Sequence, residues 1–148
     1  MNIPHTYREW AQLFKVLEKG TDDQEVLVAM QQGTIEWQSG VAERFSQRLV
    51  NTVNARMDNA SDRFNRNLAH TNGNESMIVR ELLGMRKDFQ FLYQVMSIPA
   101  IPADSRSQYQ SLIQDQANQT QSSLEDSAKM DHTGKMSSIV KNNRVNTL

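Results

Sequence analysis

The stretch LVNTVNARMDNASDRFNRNL, residues 49–68, decides the fold. Its apolar positions Leu49, Val53, Met57, Ala60, Phe64 and Leu68 advance in steps of 4-4-3-4-4. Steps of three and four keep side chains on one face of an α-helix, and an eleven-residue repeat fits long, nearly straight or slightly right-handed packed helices. The same rhythm returns at Tyr109, Ile113, Ala117, Thr120, Leu124 and Ala128. Two such segments predict an all-α, elongated helical bundle with coiled-coil-like long helices.

The first helix extends from Val41 to about Ala69, roughly 29 residues and about 43 Å at the usual rise. His70-Thr71-Asn72-Gly73-Asn74 reads as a turn, with Asn-Gly its strongest punctuation. Beyond it, Ile78, Leu82, Met85, Phe89, Leu92 and Met96 step 4-3-4-3-4, a coiled-coil seam. Val79, Leu83, Tyr93 and Val95 widen that face, so the helix at about 75–97 is expected at the centre of the bundle. Pro99 and Pro102 break the pattern. A further helix restarts at Asp104 or Ser105, and its stripe contains Ala117, Thr120 and Ala128. So thin a stripe buries little area and calls for a close neighbour.

Ahead of the long helices, Thr6 and Glu9 form a capping box before Trp10, Leu13, Phe14 and Leu17, and Gly20 is a natural C-cap. Thr21 and Gln24 suggest a second box, opening a short helix with Val26, Leu27, Ala29 and Met30 that Gly33 stops. Thr34–Gly40 has no clear period. The expected organisation is a helical hairpin at 1–33, a long-helix bundle at 34–128 and a flexible tail at 129–148, where periodicity fades. The tail is expected to be dispensable for folding.

Composition narrows the class of protein. Leu, Ile, Val and Phe make up 33 of 148 residues, little above the level typical of disorder, while net charge is only −1. A core this thin points to completion by a partner subunit, hence a homo-oligomer. With no cysteine there is neither a disulfide framework nor a zinc knuckle. No basic and apolar leader opens the sequence and no apolar run is long enough to span a bilayer, so the expectation is a soluble, cytoplasmic chain without membrane contact.

Chemistry-bearing patterns are sparse. His5, His70 and His132 stand apart from one another, in a terminus, a turn and a tail. Asp58 and Asp62 share a helix face, yet the Gly and terminal Glu of a calcium loop are missing. The six glycines are dispersed and no Gly-x-Ser-x-Gly elbow occurs. The expectation is a non-enzymatic protein with no catalytic, cofactor or metal residues.

Binding candidates are of two kinds. Trp10, Phe14 and Trp37 are candidate anchors for a partner protein, since aromatic residues dominate interface energetics; the competing reading of Trp10 and Phe14 is core. Arg44, Arg48, Arg56, Arg63 and Arg66 project within an arc of about 120° beside the apolar stripe, where they could follow a phosphate backbone. The competing reading is a solubilising flank paired to carboxylates of a neighbouring helix. Taken together, these features predict an adaptor, inhibitor or assembly factor that acts by protein contact. The alternative is a small nucleic-acid-binding regulator, of the kind found in phages and mobile elements, with a faint helix-turn-helix in the N-terminal hairpin.

Overall fold

The computed structural model describes residues 1–36 and 40–148. Among these residues six helices pack as an all-α bundle: α1 Tyr7–Lys19, α2 Asp23–Gln32, α3 Val41–Leu68, α4 Glu75–Val95, α5 Ala103–Ala128 and α6 Lys135–Asn142. The two periodic segments are α3 and α5. At 28 residues α3 is about 42 Å long and spans the bundle.

Local signals set most boundaries. The Thr6 hydroxyl accepts from the Glu9 amide at 3.2 Å, while the Thr6 amide donates to the Glu9 carboxylate at 3.1 Å. Gly20 closes α1 at φ 75°, a left-handed conformation that strains other residues. Asn74 caps α4 by accepting from the Met77 amide at 3.1 Å. The second capping box does not form. Instead α2 begins one residue later than that box requires, because the Asp23 carboxylate is held by Arg56 and fixes the first turn.

As its seam predicts, α4 is central, packing against α2, α3, α5 and α6. Ile78, Leu82, Met85, Phe89 and Leu92 are all buried along it. At one end α1 lies across the N-terminal half of α3, where Trp10 meets Phe45 edge-on at 5.2 Å and Phe14 meets it at 5.4 Å. Gly33 sits against this cluster, and a Cβ there would come within 2.6 Å of the Trp10 ring and 2.9 Å of Pro4. Only a residue without a side chain lets the chain pass so close.

Residues 129–148, expected as a mobile tail, are a docked element. They form α6, bury Ile139, Val140 and Val145, and pack on α4 and α5. The reason lies in Gln121, only 1% exposed in the sparse stripe of α5. Its amide nitrogen donates to the Val140 carbonyl at 3.3 Å and its oxygen accepts from the Val145 amide at 3.0 Å. Arg86, Gln90 and Gln114 donate to the carbonyls of Arg144, Thr147 and Asn146 respectively. Side-chain amides thus hold a segment whose apolar content is low. For α5, the close neighbour is supplied by the chain's own C-terminal helix.

Candidate interaction surface

The aromatic candidates divide at once. Trp10 and Phe14 are 0% and 1% exposed, with the Trp10 indole nitrogen donating to the Thr34 carbonyl at 2.8 Å. They are core residues of the hairpin rather than surface anchors, because α1 packs its apolar face against α3 and α2. Trp37 lies outside the described residues.

The arginine set divides too. Arg56 is 4% exposed and points inward, not along a flank. Its guanidinium donates to Asp23 at 2.9 and 2.7 Å, to Asp88 at 3.0 Å and to the Leu17 carbonyl at 2.9 Å. Arg63 pairs with the other oxygen of Asp88. This knot joins α1, α2, α3 and α4, and Gly20 leaves it room, since a Cβ there would meet the guanidinium at 2.8 Å. The Asp23 and Asp88 contacts raise the Arg56 pKa despite its burial, the largest single influence, which acts to lower it. A single-face stripe mislocates Arg56 because α3 packs against two helices, α1 and α4, rather than one, so its buried arc is wider.

Arg44 stacks over the Tyr7 ring at 4.6 Å and, with Arg48, lines a shallow depression of about 490 Å³ between α1 and α3. Arg66 lies further along α3, beside Asp62. The five arginines therefore form no continuous cationic strip. A narrower cleft of about 260 Å³ between α3 and α4 contains Arg63, Asn67, Arg80 and Glu81, with Asn67 donating to Glu81 at 3.1 Å. The carboxylate of Glu81 gives that cleft mixed polarity.

The unmatched surface lies elsewhere, on α2. Val26 to Met30 is a run of five apolar residues, and such a run wraps around a helix instead of following one face. Val26, Ala29 and Met30 turn into the core, which sends Val28 to the opposite side, 51% exposed. Met1 and Ile3 are exposed beside it, and together they line a depression of about 290 Å³ edged by Gln24, Glu25 and Gln32. Sequence reasoning passed over this feature, although the uninterrupted apolar run was its signal.

Among the described residues no cluster of three or more His, Cys, Asp or Glu is placed to hold a metal ion, and no helix is long and apolar enough to cross a membrane. His5 is tied to the Thr34 hydroxyl at 2.7 Å, while His70 and His132 are exposed. No protein-family model, curated protein or solved structure matches the chain.

Proposed function

We propose that this protein is a non-enzymatic helical binding protein that works by protein–protein contact through the apolar patch of Met1, Ile3 and Val28. The observation that carries the reading is Val28, a half-exposed branched apolar residue on an otherwise well-packed helix, lying in a depression with two further exposed apolar side chains. Clustered exposed apolar surface with a polar rim is characteristic of docking sites. The Glu25 carboxylate at its edge favours a protein over a phosphate backbone. On this reading the protein serves as an adaptor, inhibitor or assembly factor, and its partner is either another protein or a second copy of itself.

A benzophenone photo-crosslinking residue placed at position 28 tests this directly in cells that produce the protein. It should trap a protein, whereas the same residue at Gln116, on the polar face of α5, should not. Equal yields at the two positions would refute the reading.

A further inference from the structure

We propose that the cleft between α3 and α4 binds a small zwitterion with an aliphatic arm, a free α-amino acid such as leucine. The site is separate from the α2 patch and does not rest on it. The starting observation is Gly84. It lies in the interior of α4, where glycine is less stable than alanine. Neither structural reason for a glycine applies there: its φ is not positive, and nothing lies within 4 Å of where its Cβ would stand. What the missing side chain provides is room, because Gly84 lines the cleft of about 260 Å³.

Two ties between the helices frame that room. Asn67 donates to Glu81 nearer the connecting turn, and Arg63 pairs with Asp88 further along. Gly84 falls between Glu81 and Asp88 in α4, so a gap is left between the two ties. Ala60, Phe64 and Met85 line it and are buried, which gives it an apolar floor.

The charges around the gap are only partly used by the fold. Arg80, exposed and one turn before Gly84, has no hydrogen bond or ion pair among the described residues. No acid stands three or four residues from it in α4, where Ser76, Met77, Leu83 and Gly84 lie. Arg63 bonds Asp88 through one nitrogen and shares that carboxylate with Arg56, so its other N–H donors remain for a ligand. On the acceptor side, Glu81 gives one carboxylate oxygen to the Asn67 amide and keeps the second. Guanidinium donors hold a carboxylate in fork geometry, while the spare oxygen of Glu81 and the side-chain carbonyl of Asn67 accept from an ammonium.

Arg80 and Glu81 balance each other, as the two arginines and two aspartates of the buried knot do. A ligand carrying both charges therefore fits better than a bare anion or cation. The apolar floor takes its aliphatic arm. At about 260 Å³ the cleft is smaller than the roughly 300–1,000 Å³ of sites for drug-sized ligands, so an amino acid fits where a nucleotide does not.

The test titrates the isotope-labelled full chain with leucine and follows its amide chemical shifts. Isocaproate, which lacks the ammonium, and isoamylamine, which lacks the carboxylate, serve as comparisons. Leucine should saturate with a Kd of about 1 mM or tighter, moving amides in residues 60–67 and 80–85. Each comparison compound should bind about tenfold more weakly or worse, having lost one set of charged hydrogen bonds. Gly84→Leu fills the gap and should melt no lower than the wild type, yet lose leucine binding. Arg80→Gln alters an exposed side chain that the fold does not use. It should weaken leucine and isocaproate about tenfold and leave isoamylamine unchanged, a split that a merely structural role would not produce. No saturable shift by about 10 mM leucine overturns the proposal. So does a comparison compound that binds as tightly as leucine, or an Arg80→Gln variant that binds leucine as the wild type does. Full leucine binding by a folded Gly84→Leu variant overturns it too, and if that variant does not fold, Arg80→Gln and the two comparison compounds decide.

Discussion

Replacing Arg56 by Met removes four hydrogen bonds while keeping a stem of similar length in place. The side chain of Arg56 is 5% exposed and that of Asp88 12%, so water reaches neither freely; that of Asp23, at 29%, is rehydrated more easily. Breaking a buried ion pair on one side costs about 3–5 kcal/mol, since the remaining charge stays buried. Arg63 still neutralises part of Asp88, which places the expected loss near the lower end, about 3 kcal/mol. For a chain of this size that corresponds to a fall in Tm of roughly 6–12 °C. Urea unfolding followed by circular dichroism measures it. Adding Asp88→Leu to Arg56→Met should recover much of the loss, because the stranded carboxylate is gone. A single variant that loses less than about 1 kcal/mol would show that the knot contributes little and that apolar packing alone fixes the hairpin.

The C-terminal helix offers a second measurement: Ile139→Ala should cost about 2–5 kcal/mol in the same unfolding assay, and a neutral result would mean that α6 is not docked. Two glycines should respond in opposite directions, with Gly33→Ala destabilising by about 1–3 kcal/mol through its collision with Trp10 and Gly84→Ala stabilising by about 0.5–1 kcal/mol, since nothing lies within 4 Å of its missing Cβ. Paired thermal melts decide both. At the start of α6, Asp131 accepts from the Met136 amide, the Thr133 hydroxyl and the Thr133 amide, which holds its pKa below the ordinary aspartate value. A carboxylate depressed by folding stabilises the fold above its unfolded pKa and loses that effect as pH falls through the lower folded value. The α6 cap should therefore weaken below about pH 4. Carboxyl NMR titration should find Asp131 below its value in an unfolded peptide, and an unshifted curve would remove the claim.

The parts of the fold legible in the sequence are those where one helix face meets one neighbour. The seam from Ile78 to Leu92 was readable as the bundle centre, and Thr6 with Glu9 as a helix start, because spacing alone carries both. What was not legible arises where two elements cover one face or where polar groups replace apolar area. Arg56 shares an azimuth with Phe45 and Leu49 to within about 20°, and all three are buried, but a stripe drawn for a single neighbour assigns it to the flank. Asp88, between Leu92 and Val95 on the helical wheel, was the available warning, since an acid among apolar residues requires a cation. Residues 129–148 misled for a similar reason. Their hold on the bundle comes from Gln90, Gln114 and Gln121 bonding backbone groups, and glutamines spaced along a helix are indistinguishable by composition from a solvated face.

The same polar devices explain how so thin a core closes. Burying Arg56 or Gln121 is costly unless every donor is met, and among the described residues no buried side-chain nitrogen or oxygen lacks a partner. Such groups tolerate only one arrangement of the helices around them: the guanidinium must reach Asp23, Asp88 and Leu17 together, and the amide must reach both Val140 and Val145. Register is thereby set with little apolar area. The exposed apolar residue of α2 is then notable, because the knot fixes that helix at its first turn through Asp23 and the Trp10–Gly33 contact fixes its end, leaving Val28 free of any packing duty. A residue that the fold does not use, held outward on a rigid helix, is available for binding, which is why the function proposed here rests on α2 and not on the arginines of α3.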